Sequence, residues 1–282
     1  MRYCCPTTID EAVAILAADD DARCLAGGAT LVAMLNADLL APSAVVSLRG
    51  IAGLDGIHES ESGVTIGAMT RHVTVANDPR LHGGLAVVRL AAQEIGHPAI
   101  RAVGTIGGSV AHADPSADYP SALVAADAQI EITGSNGTRC VSARDFFEDF
   151  FTTALESGEM VTAIHLTRDK DETVSTYLKV ARSDGDFAIA SMAFCGNFEG
   201  TTCTRARVTV GGCGSIPINV PEIDEMLRGA DRSCDRITAA ANALAQACDP
   251  IDDVRGSADY RRLLVKRLLP RVLDNAMHSQ RT

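Results

Sequence analysis

Gly104-Thr105-Ile106-Gly107-Gly108-Ser109-Val110-Ala111-His112-Ala113-Asp114-Pro115-Ser116-Ala117-Asp118-Tyr119-Pro120 is the most distinctive stretch of this 282-residue chain. Its Gly107-Gly108 pair has a counterpart upstream, Gly27-Gly28, and both pairs fall where a loop joins predicted regular elements. Glycine carries no Cβ, so backbone N–H groups there can approach a ligand closely. Two such loops can clasp a pyrophosphate, with hydroxyls from Thr30, Thr105 and Ser109 as further donors. Either pair taken alone also reads as a tight turn. Neither forms the strand-linked G-x-G-x-x-G of a Rossmann unit, and no G-x-x-x-x-G-K-[ST] occurs, which excludes a P-loop nucleotide hydrolase.

Within the same stretch, His112, Asp114 and Asp118 lie close enough in sequence to ligate a divalent metal, as in a metal-dependent hydrolase. The other reading is that Asp114-Pro115 opens a turn and caps a following helix at Ser116. Asp118 then accepts hydrogen bonds from ligand hydroxyls such as a ribose or ribityl chain. His58, His72, His82, His97 and His165 have no partner at metal or triad spacing, and Ser62, Ser116 and Ser121 sit in no G-x-S-x-G context. No catalytic group and no metal site is assigned. Strands and turns are expected to dominate from Gly104 through the hairpin of Gln129–Thr133 and Arg139–Ser142, which flank a Gly134-Ser135-Asn136-Gly137 turn.

Upstream, Thr8 and Glu11 form a capping box before Ile9, Val13, Leu16 and Ala17, predicting a helix over Ile9–Ala18. Cys24-Leu25-Ala26 reads as a strand, Leu31–Leu35 as a helix and Val45–Leu48 as another strand. Glycines at 50, 53, 56 and 63 place a subdomain boundary near Gly56, before the Val64–Gly67 run. A helix over Leu85–Ile95 ends at Gly96, with Pro98 beyond. Downstream, three strands (Val174–Ala181, Phe187–Gly196, Thr204–Gly211) precede helices at Pro221–Arg228 and Cys234–Ala247, an α+β order. The last helix, from about Ser257, has Tyr260, Leu263, Leu264, Val265, Leu268, Leu269, Val272 and Leu273 at helical spacing. Arg261, Arg262, Lys266 and Arg267 are expected on its remaining face.

Composition bounds the rest. Apolar residues at 46% and charged residues at 22% describe an ordinary folded chain, long enough for about two domains. With 36 acidic against 25 basic residues the formal charge is −11, which disfavours nucleic acid and anionic lipid as partners. Backbone N–H groups can still hold a small anionic cofactor in such a chain. No stretch is long and apolar enough for membrane insertion and the start lacks a signal-peptide core, so a cytoplasmic location is expected. Nine cysteines without a Cys-x-x-Cys pair read as free thiols, although Cys195, Cys203 and Cys213 invite a metal or cluster reading.

Four segments together carry a resemblance: Ala26-Gly27-Gly28-Ala29-Thr30-Leu31, the Thr105–Asp118 stretch, Lys179-x-x-Arg182 with Asp186, and Gly256-Ser257-Ala258-Asp259-Tyr260-Arg261-Arg262. In that order, and from Tyr3-x-x-Pro6 to the last helix, the chain resembles the FAD-binding medium subunit of the molybdenum hydroxylases, the xanthine dehydrogenase and carbon monoxide dehydrogenase family. The resemblance implies an α+β protein. A two-lobed FAD-binding domain of the vanillyl-alcohol oxidase (PCMH) type would occupy residues 1–170, with lobes of about 1–56 and 57–170. A small C-terminal α+β domain of the CO-dehydrogenase flavoprotein type would occupy 171–282.

Carried over by position, Arg23, Cys24, Leu25, Ala26, Gly27, Gly28, Ala29, Thr30 and Leu31 would wrap the pyrophosphate and adjoining ribose. Thr105, Gly107, Gly108, Ser109, Ala111 and Asp114 belong to the stretch that would line the same cleft. Asp118 would bind flavin-side hydroxyls, and Met160, Val161 and Lys179 would approach from the C-terminal side. A lysine beside a flavin stabilises its anionic reduced form; Lys179 reads equally well as a solvated strand lysine. Ala29 departs from relatives that carry a glycine or small polar residue there. The cysteine-bearing insertion of the hydroxybenzoyl-CoA reductase branch is absent. The implied role is an electron-transfer oxidoreductase subunit whose partners are a molybdopterin-containing large subunit and a [2Fe-2S] small subunit, arranged as a dimer of heterotrimers with an external electron acceptor. A self-sufficient flavin oxidoreductase and a structural subunit that has lost flavin are the other readings of this fold.

Overall fold

The computed structural model describes residues 1–169, 172–231 and 235–279. The chain opens with β1 (Arg2–Cys4), α1 (Ile9–Ala17), β2 (Arg23–Leu25), α2 (Leu31–Asn36) and β3 (Ala44–Ser47). The three strands form a parallel sheet in the order β1-β3-β2. Parallel neighbours need crossover connections, which the two helices supply. Thr8 caps α1 by accepting the Glu11 N–H at 3.2 Å, while the Glu11 carboxylate accepts from the Thr7 N–H at 2.7 Å, one residue earlier than a capping box places it. Ala12, Val13 and Leu16 of α1 then bury against Val46 and Leu48.

The next elements are β4 (Ile57–Glu59), β5 (Gly63–Gly67), α3 (His72–Asn77), α4 (Ala86–Glu94), α5 (Pro98–Val103), α6 (Ile106–His112), α7 (Asp118–Ala125), β6 (Gln129–Gly134), β7 (Gly137–Ser142), α8 (Ala143–Phe146), β8 (Phe147–Asp149), β9 (Thr152–Thr153) and β10 (Met160–Thr167). A five-stranded sheet runs β4-β5-β10-β6-β7, and β8 pairs with β9. Sequence patterning reveals neither the edge strand β4 nor the central strand β10. The register of β10 shifts between Val161 and Ala163, so the two-residue period that marks a strand is broken.

The Gly104–Pro120 stretch holds two helices joined by a turn where strands and turns were expected to dominate; the helix expected to be capped at Ser116 starts instead at Asp118, with Ala117 at its cap. Thr105 has extended backbone and caps α6, its hydroxyl accepting the Gly108 N–H at 3.2 Å, so both glycines lie in the first helical turn. Ala113 ends α6 in the left-handed region at φ 50°, and α7 starts at Asp118 with Pro120 in its first turn, where a missing N–H costs nothing. Every residue of α7 is buried, and the helix lies against α4.

The remaining elements are β11 (Val174–Val180), β12 (Ala190–Glu199), β13 (Thr202–Gly211), α9 (Pro221–Leu227), α10 (Asp235–Ala247) and α11 (Ala258–Ser279). The strands form an antiparallel sheet in sequence order. One face of the sheet meets α7 and the other buries Phe194, Val208 and Val210 with the apolar faces of α10 and α11. The expected helix start at Cys234 and the expected boundary at 170/171 lie outside the described residues. Two expectations are corrected here. Phe187 lies in a loop before β12. Arg261 is not on the solvent face of α11: it is 3% exposed, because helical spacing puts it on the same side as Leu264, Val265 and Leu268.

Candidate functional site

A cleft of about 1010 Å³ runs between the parallel sheet unit and the α5–α7 region, and loops from the C-terminal sheet complete it. That volume is at the upper end for small-molecule sites, the size for a dinucleotide. Arg23, Cys24, Ala26, Gly27, Gly28, Ala29, Thr30 and Leu31 line it from one side. Thr105, Gly107, Gly108, Ser109, Ala111, Asp114 and Asp118 line the other, and Met160 and Val161 close an end. Leu25 and Lys179 are outside the lining. Leu25 backs the turn at Gly28, and Lys179 reaches the cleft only through Asp118.

The loop from Ala26 to Thr30 leaves β2 and turns into α2. Gly28 sits at φ +79°, a conformation that favours glycine. The first bonds of α2 run from the Val32 N–H to Gly28 O and from the Met34 N–H to Thr30 O. Among the described residues, the N–H groups of Ala29, Thr30 and Leu31 have no acceptor within the chain. Three adjacent donors at the edge of a cleft are a place for an oxyanion.

The second glycine pair works differently. The Ile106 N–H donates to Thr70 O at 3.0 Å, the Gly107 N–H to Ala68 O at 2.8 Å, and the Gly108 N–H to Thr105 Oγ1. These amides are already satisfied. A Cβ on Gly107 would stand 2.4 Å from the Ala68 Cβ, so this glycine answers a packing demand. Gly108 lies across the cleft from the first loop, where its Cβ would be 3.5 Å from that of Ala26. The two loops therefore approach each other through small residues, and the glycine amides of the second are already committed within the chain.

Electrostatics favour the same division. Arg23 is turned back on its own turn, donating to Asp20 O at 2.8 Å and Ala22 O at 2.9 Å. The cleft also holds Asp19, Asp20, Glu156 and Glu159, so an anion there depends on backbone donors. Burial pushes the Cys24 thiol up to about 12, which keeps a thiolate out of the cleft. His72, beside Gly104 and 3.2 Å from the Tyr119 hydroxyl, is pushed down to about 4 by burial and by Arg101. It is a neutral ring at ordinary pH.

Asp118, the first residue of α7, is 5% exposed. Its Oδ1 accepts from the Tyr177 hydroxyl at 2.7 Å and its Oδ2 from Lys179 Nζ at 3.1 Å; Lys179 also donates to Glu94 O at 2.6 Å. Burial raises the carboxyl to about 6, against the pull of Lys179 and Tyr177. Two residues singled out separately in the sequence are thus one ion pair joining α7, α4 and β11. Asp114 makes the expected turn, its Oδ1 accepting the Ser116 N–H at 2.8 Å.

The metal reading loses its geometry. Asp118 is engaged by Lys179 and Tyr177, the His112 ring lies 5.2 Å from that of Phe151, and among the described residues no group of three or more His, Cys, Asp or Glu side chains can hold a metal ion. Cys195 donates to Gly84 O and Cys203 to Arg205 O, and burial pushes their thiols up to about 12 and about 11. Sequence reasoning missed the lining residues Met69, Phe151, Ser157, Gly158, Gly185 and Phe187. They come from four separate segments and share no spacing; only Gly185, at φ +79° beside the Lys179–Asp186 motif, carries a local signal.

Comparison with known proteins places this geometry. The family model for the FAD binding domain in molybdopterin dehydrogenase matches residues 1–168, and that for the CO dehydrogenase flavoprotein C-terminal domain matches residues 175–276. The chain is 34% identical over 281 residues to the 6-hydroxypseudooxynicotine dehydrogenase complex subunit alpha of Paenarthrobacter nicotinovorans, covering 99% of this chain and 95% of that one. It is 34% identical over 275 residues to the carbon monoxide dehydrogenase medium chain of Afipia carboxidovorans, covering 96% and 94%. A chain of the reconstituted CO dehydrogenase from Oligotropha carboxidovorans superposes with a TM-score of 0.94 at 34% identity, covering 99% of this chain and 98% of that one.

Proposed function

Because the chain belongs to the FAD-binding medium-subunit family of the molybdenum hydroxylases, we propose that it takes electrons from a [2Fe-2S] small subunit and passes them to an external acceptor, while a molybdopterin-containing large subunit oxidises the substrate. It is an FAD-binding oxidoreductase subunit, and bound FAD supplies the capacity to take up and release electrons. The three chains would assemble as a dimer of heterotrimers in the cytoplasm. Among the described residues no helix is long and apolar enough to cross a membrane. Residues 1–170 would form the FAD-binding domain, with lobes meeting near Gly56, and 171–282 the C-terminal domain.

The observation that carries this reading is the row of free N–H groups at Ala29, Thr30 and Leu31 facing a cleft of dinucleotide size. These residues would hold the pyrophosphate. Small residues at Ala26, Gly27 and Gly108 let the two loops pack together at the cleft wall, and the cofactor would lie along that wall. Asp118 would accept from cofactor hydroxyls on the cleft side, and Lys179 balances its charge from behind.

The visible absorption spectrum of the purified chain, followed by acid release of the chromophore, tests the reading. Stoichiometric FAD is expected; a folded chain that carries none and takes none up overturns it. Asp118→Asn should weaken FAD retention while the chain stays folded, and unchanged affinity would reduce Asp118 to a structural partner of Lys179. Co-purification with a molybdopterin protein and a [2Fe-2S] protein tests the assembly.

A further inference from the structure

The cofactor reading leaves one buried charge without a role. Arg261 donates through Nη1 to Ile189 O at 2.6 Å and Gly212 O at 2.7 Å, and through Nη2 to Asp253 Oδ1 at 2.6 Å. Both carbonyls adjoin the cleft-lining turn after α6. The Ala188 N–H donates to Ser116 O and the Gly212 N–H to Pro115 O. Arg261 therefore grips the backbone at the two places where the C-terminal sheet holds the Asp114–Ser116 turn.

Asp253 extends the grip outward. Its Oδ1 also accepts the N–H groups of Arg255 at 2.8 Å and Gly256 at 3.1 Å, and its Oδ2 lies 3.6 Å from the Arg255 guanidinium. That guanidinium stands 5.3 Å from the centroid of the Phe187 ring. Phe187 is 40% exposed and lines the cleft. Its loop is pinned at a second point, where Gly185 backs onto Gly96 so closely that a Cβ would lie 2.3 Å from the Gly96 carbonyl oxygen. An aromatic ring on a loop has two free torsions, and a cation on one face is a specific way to hold it.

We propose that Arg261 is a positioning residue which, through Asp253 and Arg255, fixes Phe187 in the cleft wall and so sets how readily an external electron acceptor reaches the bound flavin. The second half of this inference rests on the FAD reading; the first half does not. Neither Arg261 nor Arg255 lines the cleft.

The full chain contains no tryptophan, so Phe187→Trp creates a single fluorescent reporter of the ring position. In that background Arg255→Ala should raise the acrylamide quenching slope about two- to five-fold. Arg255→Lys, which keeps the cation, should recover most of the original value. Arg261→Lys, which cannot reach both carbonyls and Asp253 with one planar group, should act like Arg255→Ala. In the FAD-loaded protein, Arg255→Ala and Phe187→Ala should change the rate of flavin reoxidation by ferricyanide in the same direction, and the double variant should match the larger single effect. Unaltered quenching in Arg255→Ala overturns the brace, as do reoxidation effects that add independently. If Arg261→Lys does not fold, the Arg255 variants decide. A chain without FAD would end the functional reading and still leave the quenching series to judge the brace.

Discussion

Gly27-Gly28 and Gly107-Gly108 are the same dipeptide facing one cleft, yet they meet different physical demands. In each pair one glycine is fixed by backbone contact: a Cβ on Gly27 would lie 2.0 Å from Val103 O, and one on Gly107 2.7 Å from Ala68 O. The partners diverge. Gly28 is required by its positive φ, whereas Gly108 sits in the first turn of α6 with only Thr105 Oγ1, at 3.0 Å, tighter than ordinary contact. The first loop offers unpaired N–H groups, and the second has given its own to Thr70, Ala68 and Thr105. A glycine pair near a ligand is thus not by itself an anion cradle. What matters is where the adjacent N–H groups already go.

The comparison breaks most visibly at Gly107. Gly107→Ala drives a Cβ into the Ala68 backbone, and a loss of roughly 3 kcal/mol is expected in denaturant titration. An unchanged midpoint would mean that the packing account of the second loop is wrong.

The next effect is one of pH. The His72 ring packs on Gly104 at the start of this second loop, and its folded value of about 4 lies below the ordinary 6.5. Protonation below pH 6.5 therefore favours the unfolded chain, so stability conferred by the neutral ring is full above 6.5 and is lost as pH falls toward 4. The contribution is on the order of 3 kcal/mol at the acid end. His72→Gln should flatten thermal stability across that window; an identical slope would place the acid sensitivity elsewhere.

Gly28→Ala should cost about 1 kcal/mol in stability through its positive φ. FAD retention should fall as well, because the turn that presents the free N–H groups is displaced. Equilibrium dialysis of FAD distinguishes this from a purely structural loss. The smallest effect belongs to Gly108→Ala, within about 0.5 kcal/mol of the parent, since Thr105 Oγ1 needs to yield only slightly. Gly108→Val sharpens the contrast: its branches extend toward Ala26 and should lower FAD uptake in a folded chain. Full FAD content in that variant would show that the contact between the loops does not shape the cofactor's place.

Much of the fold was legible where local rules operate. Thr8 at the head of α1, the hairpin of β6 and β7 with Gly137 at φ +101°, and the apolar face of α11 from Leu264 to Leu273 follow from spacing and turn chemistry, although Tyr260 and Leu263, expected on that face, are exposed. The helix α6 was not legible, because its paired glycines argue against helix by propensity, whereas α7 was expected after the Asp114-Pro115 turn and starts two residues beyond the expected cap at Ser116. The Thr105 cap and the buried contacts of α6 outweigh the glycine cost. Arg261 was read as a surface charge because arginine rarely lies inside; only the folded chain brings Ile189 O, Gly212 O and Asp253 around it. In the cleft, the contiguous segments Arg23–Leu31 and Thr105–Asp118 could be named in advance, whereas Phe151, Ser157 and Phe187 could not.

Sequence alone therefore determined the composition of the cleft's two principal walls, since it follows from residue identity and spacing. The family resemblance was legible for the same reason, its motifs being contiguous. Tertiary structure alone decided which glycine loop keeps its donors, that Asp118 and Lys179 form one buried pair, and that Arg261 faces inward. Each of these depends on groups distant in the chain, and a hydrogen bond or an ion pair exists only once folding has set the distance between its ends.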